Sequence, residues 1–287
     1  LITGNKPDLR EWKNLIKFVV ISAGVSSLSG LIFAAQFAKP GEPLAPDYRW
    51  HRRLMGEGLR AADRLVAPTA SYARLVSRHY GLPRTPQVVH NGRTPVTAPT
   101  PAILHDRVLT VGRLWDRVKR AELLDRVAAG LAVPFEAAGA VCGPHGERVR
   151  IEHLHLLGQL DAGGLARRLA GRPIFVSAAS FEPFGLAVLE AAQAGCALIL
   201  NDIPSFRELW DGAALFVAGE GEAGYREAIE ALIGDVPMRL RLGEAARERA
   251  TRYGPQAMAD AMLGIYAEML GESLSGRRRS EEHTSEL

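Results

Sequence analysis

The stretch PIFVSAASFEPFGLAVLEAAQAGCALIL, running from Pro173 to Leu200, decides the fold. It opens on one short apolar run, Pro173-Ile-Phe-Val176, and closes on another, Ala197-Leu-Ile-Leu200. Between them lies a helical segment that starts after Phe184-Gly185 and stops at Gly195. Runs that are short and apolar at successive positions read as strands covered on both faces. Two of them joined by a helix make a βαβ unit, whose crossover is right-handed.

Outward from this unit the alternation repeats. Upstream lie Val108-Leu-Thr-Val111, a helix over 120–129, Phe135-Glu-Ala-Ala138, a strand at His155-Leu-Leu157 and a helix over 162–169. Downstream come a helix from Pro204, a strand at Ala214-Leu-Phe-Val217 and helices over 223–233, 238–253 and 255–270. This order predicts an α/β fold with a parallel sheet and helices on both faces. Nearer the N-terminus, Phe18-Val-Val-Ile21 reads as a strand, and a helix from Tyr48 leads into a short strand before Pro68. A second helix is capped by Thr69 or Ser71, carries Tyr72, Leu75, Val76 and His79 near one face, and ends at Gly81. Gln87-Val-Val-His90 is a further strand, Asn91-Gly92 turns the chain, and residues 94–101, with Pro95, Pro99 and Pro101, read as an interdomain linker.

The 287 residues, 47% hydrophobic and 23% charged, suffice for one large domain or two ordinary ones. The 35 basic and 32 acidic residues leave a net charge of +3 spread along the chain. No concentrated basic stripe marks a nucleic-acid partner. The mild excess suits phosphate-bearing donors or anionic lipid surfaces. Cys142 and Cys196, among small and apolar neighbours, read as core thiols of a reducing compartment, without disulfide or metal spacing. Residues 18–38 are uncharged, but four serines, two glycines and a glutamine interrupt them. A strand, a turn and a helix are therefore expected there, with a membrane or signal segment as the alternative.

In open parallel sheets ligands sit beyond the carboxyl ends of the strands. There the sequence places Ser180-Phe-Glu-Pro-Phe-Gly-Leu186. Gly185 opens a helix whose free amides, with that of Leu186, and positive dipole end suit a phosphate. Pro183 holds Glu182 extended and free to reach a ligand. Glu190, about one and a half turns into the helix among apolar neighbours, needs a donor, which ribose hydroxyls supply. Taken alone, the two glutamates read equally as a helix-terminal and a solvated carboxylate. After the first strand of the same sheet, Gly112 is followed by Arg113, and Lys119 lies six positions further on. Fixed cations there stabilise a departing diphosphate, although alone they would read as surface charges. Cys142-Gly-Pro-His-Gly146 and Leu157-Gly158-Gln-Leu160 read either as frames for a base or as turns, and Asp202 either as a cleft residue or as a helix cap.

As a set, AADRLVAPT (61–69), VVHNGR (88–93), VGRLW (111–115) with Lys119, LLGQL (156–160), FEPFGLAVLEAAQAGCALIL (181–200) and DIPSFRELWDGAALFV (202–217) resemble the retaining glycosyltransferases of family four. The resemblance implies the GT-B architecture of two facing Rossmann-like domains with parallel sheets. It places residues 1–98 in a partial acceptor-side domain and 99–254 in a donor-binding domain. Residues 255–272 form a helix returning to the first domain, and 277–287 are a non-native or disordered tail. It implies that Glu182, Arg113 and Lys119 carry the chemistry, Glu182 at the transferred sugar and the two cations at the diphosphate. Glu190 binds the ribose, and Gly112, Phe184, Gly185, Leu186 and Leu157 complete the donor site. No metal or other cofactor is implied, in keeping with the lack of an Asp-x-Asp motif.

The expected function is retaining transfer of a sugar from a nucleotide diphosphate sugar to a saccharide, lipid or small-molecule hydroxyl. The expected location is cytoplasmic, with peripheral contact at the inner face of a membrane left open. The N-terminal half lacks the family's glycine-rich first loop and acceptor-side histidine over 19–28, and the chain opens on Leu1. An incomplete acceptor domain is therefore expected. The alternative is a chain that folds or binds nucleotide without turnover.

Overall fold

The computed structural model describes residues 18–20, 46–95, 104–144, 146–219 and 221–284. The turn and helix expected after the first strand and most of the proline-rich linker lie outside the described residues.

In the N-terminal part, β1 (Phe18–Val20) is followed by α1 (Pro46–Ala61), β2 (Arg64–Ala67), α2 (Ala70–Tyr80) and β3 (Gln87–Val88). The strands pair in parallel in the order β1-β2-β3. At the start of α2 the Thr69 hydroxyl accepts from the Tyr72 amide, and at its end Gly81 adopts a left-handed φ of 58° and donates to the Ser77 carbonyl. These are the stop signals that the sequence spells out. Tyr72, Ala73 and Val76 of α2 pack with Ala67 of β2.

The larger sheet comprises β4 (Val108–Val111), β5 (Phe135–Ala138), β6 (His155–Gly158), β7 (Ile174–Ser177), β8 (Leu198–Asn201) and β9 (Leu215–Val217). All neighbours are parallel, in the order β6-β5-β4-β7-β8-β9. The intervening helices are α3 (Ala121–Ala128), α4 (Ala162–Ala170), α5 (Leu186–Gln193) and α6 (Pro204–Trp210). After β9 come α7 (Glu222–Gly234), α8 (Val236–Ala250) and α9 (Pro255–Thr284). Both faces of the sheet are covered inward of its exposed edge strand β6, which is why strands such as β7 and β8 are apolar at successive positions. Val108, Ile174, Val176 and Ile199 pack with Leu124 and Val127 of α3 and Ile229 of α7. The alternate residues Leu109, Phe175, Leu198 and Leu200 pack with Leu189 of α5, Trp210 of α6 and Ala246 of α8.

Counted from β4, the order is that of a doubly wound nucleotide-binding sheet, and it reverses between β4 and β7. A crevice opens at such a reversal, beyond the carboxyl ends of the two strands. The loops carrying Gly112-Arg113 and Glu182-Gly185 are therefore brought together by topology alone.

Ile265 of α9 clusters with Val66 of β2 and Val89, joined by Met258, Met262 and Met269, so the last helix lies on the N-terminal sheet. It runs to Thr284, beyond the expected 255–272 and into the 277–287 tail that was expected to be irregular. The segment after Pro255 contains no further proline, and its Arg and Glu residues are good helix formers. Cys196 is buried, and burial pushes its thiol up to about 12. Cys142, expected in the core, is exposed, because it sits in the β5–β6 connection and only bridges to Arg148. Among the described residues, no helix is long and apolar enough to cross a membrane.

One buried carboxylate shapes the approach to β6. Asp125 of α3, 7% exposed, accepts from the amides of Glu152, His153 and Leu154 at 2.8–3.1 Å. Asp125→Ala leaves these donors without an acceptor and should lower stability by about 2–3 kcal/mol. Urea unfolding measures this, and an unchanged midpoint would refute it.

Candidate active site

The crevice holds a cavity of about 360 Å³. Its lining includes Gly112, Arg113 and Lys119 from the β4 side and Glu182, Phe184 and Gly185 from the β7 side. Leu186, Ala187 and Val188 of the first turn of α5 also face it. Gly185 starts α5 with φ 88°, and no side chain caps that end. A Cβ on Gly185 would meet Phe206, Glu182 and Val188 at 3.2–3.3 Å, so strain and crowding both require glycine here. The cavity wall is thus an uncapped helix N-terminus.

Lys119 closes a 3₁₀ turn (Arg117–Lys119) capped by Asp116, whose carboxylate accepts from Val118 N. Asp116 also accepts from Arg113 Nη2 at 2.8 Å, and the Arg113 guanidinium lies 5.7 Å from the Trp115 ring centroid. The Lys119 ammonium forms an ion pair with Glu182. Both cations line the cavity, and each holds an internal carboxylate. Glu182, expected to be free, is tied to Lys119 because the Ser180 amide donates to the Val118 carbonyl at 2.9 Å and draws the two loops together.

The Glu182 loop is held from three directions. Besides the Ser180 contact, Ser205 Oγ donates to the Glu182 carbonyl at 2.5 Å, and Thr69 Oγ1 donates to the Pro183 carbonyl at 2.9 Å. The last contact comes from the cap of α2 in the N-terminal part. At the same junction Glu208 of α6 accepts from the amides of Ala70 and Ser71, both at 2.7 Å, and from Ser71 Oγ. The first turn of α2 has no acidic residue of its own, so this carboxylate supplies the anion that a helix N-terminus favours.

Glu190 lies one turn deeper along α5 and outside the cavity lining. It is paired with Arg93. Burial raises its pKa, and the Arg93 charge and hydrogen bond oppose that rise. Leu157 also stays out of the cavity, because β6 is the edge strand, separated from β4 by β5. After β5, Gly143 N donates to the Glu147 carbonyl at 2.8 Å. Asp202 caps no helix; it holds Arg207, which keeps its carboxyl below the usual range.

Sequence reading missed Arg93, Asn91 and Glu208. Asn91 and Arg93 belong to the VVHNGR segment, where Asn91-Gly92 signalled only a turn, yet Asn91 lines the cavity. The sign of Glu208 was the acid-free start of α2. Among the described residues, no three His, Cys, Asp or Glu side chains gather as a metal site.

The crevice at the strand reversal is walled by an uncapped helix start and two cations, features that suit a phosphorylated ligand. The model of "Glycosyl transferases group 1" matches residues 147–249, which include β7, the Glu182 loop and all of α5. The chain is 26% identical over 228 residues to the phosphatidyl-myo-inositol mannosyltransferase of Mycobacterium leprae (strain TN), across 76% of this chain and 60% of that protein. It spans about 60% of the length of the curated relatives that it matches most extensively. Sucrose-phosphate synthase from Thermosynechococcus elongatus superposes with a TM-score of 0.69 at 19% identity, over 89% of this chain and 74% of that one. Anabaena Alr3699/HepE in complex with UDP-glucose gives 0.69 at 14% identity, over 90% and 81%. The two parallel sheets with their helices together have the fold of GT-B glycosyltransferases.

Proposed function

We propose that the protein transfers a sugar from a nucleotide diphosphate sugar to an acceptor hydroxyl with retention of configuration. The observation that carries this reading is the position of Glu182. It borders both the 360 Å³ cavity and a second cavity of about 390 Å³, lined by Tyr72, Arg74, Arg78, Phe181 and Pro204. The first suits the donor, with its diphosphate at the start of α5 beside Arg113 and Lys119. The second suits the acceptor, so the sugar would lie at the carboxylate between them.

As the bond from the anomeric carbon to the diphosphate oxygen breaks, charge develops on that oxygen. Lys119 would then exchange Glu182 for the departing diphosphate. An interaction that strengthens along the reaction lowers the barrier, whereas one equal in both states does not. The acceptor hydroxyl attacks from the face that the diphosphate leaves and passes its proton to the departing oxygen. Glu182 holds the sugar hydroxyls and no protein nucleophile takes part. Arg113 and Lys119 supply the positive charge, and no metal or other cofactor is proposed. UDP-glucose, present in the Anabaena structure, is the first donor to try, followed by a mannosyl donor in view of the Mycobacterium relative.

Glu182→Gln should slow transfer, or donor hydrolysis without acceptor, by about 100-fold. UDP affinity by calorimetry should stay within about twofold, because Glu182 meets the sugar rather than the nucleotide. A wild-type rate in the variant would remove Glu182 from the reaction. Nucleotide binding with no turnover by the wild type would reduce the function to nucleotide binding.

A further inference from the structure

Glu190 and Arg93 come from two segments that each contribute a nearby residue to the cavity wall. On α5, Ala187 lines the cavity and Glu190 lies one turn further along; on the connecting segment, Asn91 lines the cavity and Arg93 lies two residues further on. The Arg93 backbone is pinned at both ends: its amide donates to the Tyr253 carbonyl at 3.2 Å, and its carbonyl accepts from Gln193 Nε2 at 2.7 Å. The guanidinium thus leaves a fixed point and meets Glu190 Oε1 through Nε. Glu190 is the buried member, its side chain 8% exposed against 44% for Arg93.

We propose that Arg93 is a positioning residue for the nucleotide: by pairing with Oε1 it holds Glu190 as an oriented carboxylate whose Oε2 accepts from a ribose hydroxyl. This rests on the reading of Glu190 as the ribose ligand. The geometry fits a nucleotide that lies along α5 with its diphosphate at Gly185, because its ribose then falls about one turn along the helix. The pair also explains how a carboxylate survives among Leu189, Ala191 and Ala192, all fully buried.

Arg93 is the charged group that faces Glu190. Of the elements packed on α5, β7 and β8 carry no titratable residue. Arg239 and Arg247 of α8 lie toward Cys196 and Gly195 at the far end of the helix. Burial raises the Glu190 pKa and Arg93 opposes this, so Arg93→Gln should raise it further. The carboxylate, and nucleotide binding with it, would then be lost as pH falls through the raised value.

Calorimetry with UDP and GDP between about pH 5.5 and 8 tests this, with thermal melts as a check on folding. Arg93→Gln should bind about tenfold more weakly near neutral pH and steadily more weakly toward acid. Arg93→Lys should restore the wild-type pH profile. Wild-type affinity and profile in Arg93→Gln would overturn the proposal, as would tighter binding, which would make Arg93 a competitor of the ribose. Loss of binding in both variants with no change in pH dependence would also overturn it, reducing the pair to a structural strut. Glu190→Gln tests the underlying reading separately: UDP affinity equal to wild type there would remove Glu190 from the ribose site whatever Arg93 does.

Discussion

Lys119→Ala should reduce the rate of sugar transfer by about two to three orders of magnitude, the largest effect on activity expected of any single change in the cavity. Two losses combine. The departing diphosphate loses its nearest ammonium, and Glu182, whose side chain is 13% exposed, loses the partner that fixes it. Nucleotide affinity should fall less, by about tenfold, because Arg113 and the start of α5 remain. Steady-state kinetics and UDP calorimetry measure the two separately. Since Lys119 and Glu182 touch, adding Glu182→Gln to Lys119→Ala should cost far less than it does alone. Fully additive losses, or a variant with wild-type turnover, would show that the ion pair is not part of the reaction.

The second large effect is on stability. Arg239 of α8 is 1% exposed, and its guanidinium donates to Asp106 Oδ1 at 2.9 Å, to the Arg172 carbonyl at 2.8 Å and to the His105 carbonyl at 2.5 Å. His105 and Asp106 lead into β4, and Arg172 leads into β7. One side chain therefore ties together the amino ends of the two strands that flank the reversal. Arg239→Met fills much of the space, offers no donor, and should cost about 3 kcal/mol. Urea denaturation reads this loss. The cavity lies at the opposite ends of these strands, so the folded fraction should bind UDP as wild type does. A variant as stable as wild type would show that the carbonyls find other donors.

The six-stranded sheet could be read from the chain because both its faces are covered. Residues such as Ile174, Phe175 and Val176 are apolar in succession, and only Gly and Pro interrupt the rhythm. Gly185 and the cations at Arg113 and Lys119 were legible for a similar reason: each follows a strand, and strand ends in a parallel sheet point to one crevice. The pairings were not legible. Glu190 meets Arg93 and Glu182 meets Lys119 across long sequence separations, and local patterning cannot say which buried carboxylate faces which cation. Leu157 shows the converse limit. It lies near the carboxyl end of its strand, but that strand takes the edge position, which depends on strand order rather than on the residues around it. At α9, the charged 277–287 segment carries no apolar stripe, so periodicity could not reveal that the helix continues.

The backbone crosses between the sheets at residues 89–95 and again near 253–255. There a Cβ on Gly92 would stand 2.2 Å from the Gly254 carbonyl oxygen. The two passages touch main chain to main chain, and the Arg93 amide bonds Tyr253. Mechanically the crossing is a clasp: with the Thr69–Pro183 and Glu208–Ser71 contacts it fastens the N-terminal sheet to the larger one at more than one point. Asn91 and Arg93 belong to this clasp, so the passage that joins the sheets also supplies a residue of the cavity wall.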